Sequence, residues 1–492
     1  MSAARRRAEL LVFGALGFVA VVAFLVARTV PAYDSYYSLV WGRELIHGHG
    51  PDFQVYQAPT HHPLWVAISA VLSVFGSDAD RLLVLVCVLS LVALVWATYR
   101  TGAVVFEPWA GAVAAVLVLV SPTLLLYTAR AYVDIPFVAC VMWAAAVEAA
   151  TPRGRPRLVM ALLVVAGLLR PEAWLLAGVY WLWVGWRRWD LLALALVAPI
   201  VWAIVDAAAT GDALYSLHAT SGQADQIARV RGLRHVPHEL VSALDSTIRA
   251  PVVLAGVGGA IAAIVLWARG RKPRGAVEVP LALVGGGIVT FAATGAAGLS
   301  LLPRYLTVPA VGLCLFAGWV AVLAVRWLAG AAGRRVAAAL VGAVVGLGLV
   351  YAVAGGSMRR AINELRFIHT SHQRLEAIFH QPEVVFLRAC GPVSLPNYRL
   401  VPDSRWILDA GARQVVARSD RVPTHGVALV VQGRKAVSRF GRAAGAAAAD
   451  NRPPHGYRRL AANPTFIAYE RCATPTTARR PRSASSAATA GR

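Results

Sequence analysis

Charge is what this chain has least of. Only 15% of its 492 residues are Asp, Glu, Lys or Arg, where a soluble domain carries about a quarter. A soluble globular protein of this length is therefore excluded. Cysteine is sparse and unpatterned: none of the five falls in a C-x-x-C or Cys/His spacing, so no zinc motif is present. Cys87, Cys140 and Cys314 lie within apolar runs, where a free thiol acts as a small hydrophobe. Cys390 and Cys472 lie in the polar C-terminal part, where they could pair if that part is outside the cytoplasm. There is no internal repeat of the kind that builds inverted transporter halves. The N-terminal run is expected to be an uncleaved first span. Arg5–Arg7 precede an apolar run longer than a signal core of about 7–15 residues, with no A-x-A-like site after it.

Long hydrophobic runs are what the chain does have. Hydrophobic residues make up 58% of it. They come in uncharged blocks of about 20, the length that crosses a hydrocarbon core of about 30 Å. The formal net charge of +23 does not indicate nucleic acid. The basic residues sit in short clusters between apolar runs, as in cytoplasmic loops of a membrane protein, and aromatics do not interleave with them as in a base-stacking platform.

Topology follows by alternation. A first helix over 10–30 leaves the cytoplasm and places Asp34 outside. The apolar run 63–76 is too short to span and reads as interfacial. Helices are then expected over 81–99, 109–127, 135–150, 158–169, 173–186, 190–209, 251–268, 278–298, 306–325 and 335–354, about eleven spans in all. With 63–76 interfacial, every dense basic loop is cytoplasmic, and Asp34, Asp134, Glu172 and Arg304 share the outer face. The outer loop 211–250 holds two amphipathic stretches broken at Arg234-His-Val-Pro237. From Ser357 the composition turns mixed. A helix is expected over 365–379 and strands over 383–387, 414–417, 426–431 and 465–469. The expected organisation is a membrane module (1–356), a small extracytoplasmic α/β domain (357–473) and a Ser/Thr/Ala/Arg-rich disordered tail (474–492).

Four places carry candidate chemistry. Asp34 follows the first span within Pro31-Ala-Tyr-Asp-Ser-Tyr-Tyr37. It reads either as a solvated cap of a helix over 35–46 or as an ionisable group serving a site at the membrane edge. Asp134 reads as the start of its helix, with Arg130 one turn away as a partner. His61 and His62 open the interfacial run and line its polar mouth; adjacent histidines are poorly placed as metal ligands. Arg170-Pro-Glu172 and Pro303-Arg304-Tyr305 interrupt apolar stretches. Each arginine reads as a phosphate clamp or as a side chain snorkelling to headgroups.

In order and spacing, these stretches resemble the GT-C glycosyltransferases that use polyprenyl-phosphate sugars. The resemblance rests on Tyr33-Asp34-Ser-Tyr-Tyr37, on His62-Pro63-Leu64, on Ser121-Pro122 with Tyr127-Thr-Ala-Arg130 and Asp134, on Gly167-Leu-Leu-Arg-Pro-Glu172, and on Pro303-Arg-Tyr305. It covers about residues 1–330 and is similar to bacterial protein mannosyltransferases and aminoarabinose transferases. His62-Pro63 is followed by Leu64 and Asp34 by Ser35, which leaves subfamily and substrate open. The resemblance implies a GT-C-like helical membrane enzyme moving mannose or a pentose to a glycan, lipid or protein acceptor outside the cytoplasm. Asp34 would be the general base, and Asp134 would orient the acceptor or support Asp34. Arg170 and Arg304 would offset the leaving phosphate's charge. Tyr36, Tyr37, His61, His62, Arg130, Glu172 and Tyr305 would line the substrate site, with no metal or cofactor. The competing reading is a transporter or flippase of a lipid-linked sugar.

Overall fold

The computed structural model describes residues 3–226, 229–270, 276–329, 356–387, 390–443 and 446–472. The helix expected over 335–354 and the tail from Thr474 lie outside these residues. The chain divides into two units: Met1–Gln373 with Pro402–Asp409, and Arg374–Val401 with Ala410–Arg492. A cut at residue 357 thus differs from the observed division, because the helix that begins at Gly356 continues to Phe379 through the change of unit.

The first unit is helical. Its elements are α1 (Ala3–Val26), α2 (Tyr33–Ile46), α3 (Pro63–Ser73), α4 (Ala79–Val105), α5 (Pro108–Leu119), α6 (Pro122–Ala129), α7 (Asp134–Ala150), α8 (Pro156–Leu169), α9 (Glu172–Val184) and α10 (Trp189–Thr210). Then follow α11 (Tyr215–Gln226), α12 (Val236–Ile248), α13 (Ala250–Ala268), α14 (Glu278–Ala296), α15 (Thr307–Ala329) and the start of α16 (Gly356–Phe379). Proline opens α3, α5, α6 and α8, where its missing N–H costs nothing and its fixed φ suits the first turn.

Six of the described helices are long and apolar enough to cross a bilayer, as expected of a multi-pass membrane protein. α3 has 11 residues, which rise only about 16 Å, so it cannot span. The single helix expected over 109–127 is broken: α5 and α6 meet at 58°. Ser121 caps α6, accepting from the Leu124 amide at 3.2 Å, and Pro122 cannot continue the preceding ladder. The helix expected over 10–30 ends at Val26, and Pro31 and Ala32 lead into α2.

α4 lies against α1, α5 and α7, and α15 lies against α5, α13 and α14. Leu83, Leu94, Val138, Met142, Val311 and Phe316 are buried in this core. Leu11, Phe18 and Val26 on α1 stay exposed, as a lipid-facing stripe must. α2 approaches α3 closely at Gly42, where a Cβ would sit 2.5 Å from the Ala70 nitrogen. Any side chain there would push apart the two helices that carry Asp34 and follow His62.

The second unit holds a five-stranded sheet in the order β2-β1-β3-β5-β4. The strands are β1 (Val393–Leu395), β2 (Val415–Ala417), β3 (Gly426–Val431), β4 (Arg458–Ala462) and β5 (Phe466–Arg471). β2, β1 and β3 are parallel, and β5 and β4 join them antiparallel. β3 is buried along its whole length, as a central strand requires. The strand expected over 383–387 is instead helical, Pro382–Leu387. Pro at the first position and Glu383 in the first turn favour a helix start over the β-propensity of its apolar residues. β1 and β4 escaped the sequence reading: one is three residues long and the other carries two arginines. Cys390 and Cys472 form a disulfide.

Candidate active site

Two short segments a hundred residues apart are stitched together here. The Ala32 amide donates to the Arg130 carbonyl at 2.8 Å, and Arg130 Nη2 donates to the Pro31 carbonyl at 2.9 Å. Ser35 Oγ donates to the Ala131 carbonyl at 2.7 Å. Ala131 is buried with φ +54°, a left-handed conformation that costs a non-glycine residue about 1 kcal/mol or more. That strain turns its carbonyl toward Ser35. Arg130 is thereby committed to the backbone of the first segment and is not the partner of Asp134.

The stitching sets the charged side chains. Asp34 lies in the first turn of α2, where the helix dipole favours a carboxylate. It is within the helix and does not cap it: the N-cap is Ala32, which has no side-chain bond. Its Oδ2 accepts from Arg304 Nη1 at 2.6 Å. Arg304 is carried by the short turn Pro303–Leu306 before α15. Arg170, at the end of α8, bridges two carboxylates, pairing with Asp134 through Nη1 and with Glu172 through Nη2 and Nε. Its guanidinium also lies over the Tyr305 ring at 5.0 Å. Three carboxylates and two guanidiniums thus meet in one place, leaving an excess of negative charge.

Beside them is a cavity of about 530 Å³, within the range of about 300–1,000 Å³ typical of small-ligand sites. His62, Arg170, Glu172, Arg304 and Tyr305 line it at one end. Trp174, Trp202, Pro199, Leu214 and Leu217 supply an apolar wall. Asp34 is not on the lining. Its side chain pairs with Arg304 and is still 24% exposed, so it is reachable from beside the cavity. Asp134 is completely buried and grips Arg170 from below, so it cannot orient an acceptor directly. Tyr36 and Tyr37 are also fully buried. Tyr36 stacks on His372, and Tyr37 packs against Tyr33 and Trp41, so neither reaches the cavity.

His61 turns away from the large cavity. Its ring stacks on Phe53 at 4.2 Å between centroids, and its Nε2 is 3.4 Å from Asp206 Oδ1. Burial pushes its pKa down to about 4, so it is neutral at pH 7. His62 is held well below the ordinary value by burial and by the charges of Arg170 and Arg304. Its Nδ1 has no hydrogen-bond partner among the described residues.

The residues missed on the sequence are those that close the cavity: Trp174, Trp202, Asp206, Ser216, Thr290 and Thr294. One signal was available. Asp206 is a carboxylate within a long apolar helix, which by default marks a site. The tryptophans carried no such mark. Both indoles donate to the single carbonyl of Gly167, at 3.1 and 3.0 Å, a convergence set by the end of α8.

Comparison with known proteins gives the fold. ArnT from Cupriavidus metallidurans, solved bound to undecaprenyl phosphate, superposes with a TM-score of 0.55 at 14% identity, over 94% of this chain and 97% of that one. The chain has the GT-C fold. Apo ArnT gives 0.51 at 14% identity. The Archaeoglobus fulgidus oligosaccharyltransferase tethered to an acceptor peptide gives 0.50 at 11% identity, over 83% of this chain and 63% of that one. No family model matches the sequence, and no curated protein does. At such identity, the GT-C fold carries no residue roles with it. Those rest on the geometry above.

Proposed function

We propose that this protein is a GT-C glycosyltransferase that moves a sugar, mannose or a pentose, from a polyprenyl-phosphate donor to an extracytoplasmic cell-envelope acceptor. The observation that carries the reading is the Asp34–Arg304 pair at the edge of a cavity with one charged end and one apolar wall. An acceptor hydroxyl gives its proton to Asp34 and its oxygen bonds to the anomeric carbon. The bond from that carbon to the phosphate oxygen breaks with its electron pair, leaving polyprenyl phosphate and an inverted sugar. Asp34 then releases the proton to solvent.

The two arginines take unequal parts. Arg170 is saturated by two carboxylates, so it orders the site and adds its field. Arg304 has one carboxylate partner and faces the cavity, so it meets the leaving phosphate. Electrostatic stabilisation of this kind is usually the main source of an enzyme's rate enhancement. With a monophosphate leaving group facing these arginines, turnover needs no metal, and EDTA should leave it unchanged. The N-terminus is cytoplasmic, and the site and the sheet unit are outside. Basic loops between spans support this, as does the Cys390–Cys472 disulfide, since such bonds persist in oxidising compartments. A cysteine at Ser77 that labels only from the cytoplasm overturns this orientation.

The test is turnover by purified protein with a panel of polyprenyl-phosphate sugars and cell-envelope acceptors, wild type against Asp34→Asn. Transfer that survives the substitution removes Asp34 as the base. Absence of transfer with any donor, together with movement of lipid-linked sugar across liposomes, makes the protein a transporter.

A further inference from the structure

The cavity has a second polar group that the reaction above does not use. Asp206 lies about one turn before the end of the apolar helix α10, is 3% exposed, and lines the cavity. Its Oδ1 accepts from Ser216 Oγ at 2.9 Å and its Oδ2 from the Ser216 amide at 3.0 Å. Among the described residues no lysine or arginine pairs with it. Its basic neighbour is His61, at 3.4 Å, which burial keeps neutral. A buried carboxylate without a counter-charge is costly, and a membrane helix keeps one only where it serves a ligand or a path.

The surroundings are those of a saccharide site. Thr60 and Thr220 hydroxyls meet at 2.7 Å, and both line the cavity beside Asp206 and Ser216. Trp174 and Trp202 line the same cavity, and their N–H groups are already spent on Gly167. Each indole therefore offers the cavity only an apolar ring surface. Hydrogen-bond acceptors beside an aromatic wall match a sugar ring, which is hydroxylated at its edge and apolar on its face. The charged end, with Arg304, lies in the same cavity.

We propose that Asp206 is the specificity-determining residue for the transferred sugar, accepting hydrogen bonds from its ring hydroxyls while Trp202 and Trp174 form the wall beside it. This rests on the polyprenyl-phosphate reading, because that reading puts the phosphate at Arg304 and so the sugar in the cavity that Asp206 also lines. A site built to hydrogen-bond a hydroxyl rejects ligands that lack it far more strongly than an apolar pocket discriminates by size.

The test is binding, read by intrinsic tryptophan fluorescence of the full-length protein in detergent. The probes are short-chain polyprenyl phosphate alone and the same lipid phosphate carrying mannose, glucose, galactose or arabinose. For the wild type, at least one sugar-bearing lipid should bind about tenfold or more tightly than the bare lipid phosphate, the size of one net hydrogen bond to a charged group. Asp206→Ala should erase that advantage and leave the bare lipid's Kd unchanged. Asp206→Asn keeps an acceptor for the Ser216 amide and guards against misfolding; it should erase most of the advantage with an unchanged melting temperature. The assignment is overturned if the advantage survives both substitutions. It is also overturned if the bare lipid binds the wild type and no sugar adds affinity, or if both variants weaken bare and sugar-bearing lipid alike, as a structural tether of α11 would. Failure of the wild type to bind any of these lipids overturns the functional reading itself, and this assignment with it.

Discussion

Two arginines, one in each unit, are buried almost equally and mean different things. Arg170 is 3% exposed and Arg418 is 4% exposed. Arg170 pairs with two carboxylates and borders a cavity. Arg418 lies in the sheet unit and, among the described residues, donates only to neutral groups: the carbonyls of Ser394, Leu429 and Asp450 and the Ser394 hydroxyl, at 2.7–3.1 Å. Burial pushes its pKa down to about 10, yet it stays charged at pH 7. Its guanidinium ties β1, β3 and the 3₁₀ turn Ala448–Asn451 together. Burial of a charge is therefore no mark of function by itself. The mark is a charge with carboxylate partners beside open space.

Substitution at the two arginines should separate these roles, with the largest effect at Arg170. Arg170→Met leaves Asp134 and Glu172 buried without their cation. It should destabilise the membrane unit by about 3–5 kcal/mol in detergent melting and abolish transfer. If transfer per folded molecule stays normal, Arg170 is no more functional than Arg418. Asp34→Asn keeps the shape and the Arg304 contact but removes the proposed base, so kcat should fall by about 10²–10⁴-fold with little change in melting. Arg418→Met should cost about 1–3 kcal/mol for its orphaned carbonyls, read as earlier unfolding of the sheet unit. Transfer measured below that transition should be unchanged.

The smallest effect at neutral pH is that of His61. Its folded pKa, about 4, lies below the unfolded value of about 6.5. The unfolded chain therefore binds more protons between these values, and stability rises with pH. His61 should cost nothing above about pH 6.5 and up to about 3 kcal/mol as pH falls to about 4. His61→Gln should flatten melting temperature against pH over that window. An unchanged slope would show that His61 takes a proton in the folded state as readily as in the unfolded one.

The site was partly legible in the sequence. Asp34, Arg170, Glu172 and Arg304 were visible because a charge beside an apolar run is expensive and local, and alternation of spans put them on one face. What they touch was not visible. Arg130 is one turn from Asp134 in sequence yet bonds to Pro31, while Asp134 takes Arg170, 36 residues away. Tyr36 and Tyr37 share a motif with Asp34, but a helix turns successive residues by about 100°. That rotation turns Tyr36 away from Asp34, whereas Tyr37, nearly a full turn on, is covered by Tyr33 and Trp41.

The sequence by itself determined a membrane protein, most of the helix ends, the shortness of α3 and a small α/β unit after the apolar helices. Each of these follows from run length, proline position or charge spacing, which act within a few residues. Only the tertiary structure decided that Asp134 pairs with Arg170 and Asp34 with Arg304. It alone brought Trp174, Trp202 and Asp206 to one cavity and closed Cys390 on Cys472. The physical reason is that partners of buried charges and walls of cavities are set by which helices pack together. That choice depends on contacts between residues far apart in the chain, such as Gly42 with Ala70 and Ser35 with Ala131, which no local pattern encodes.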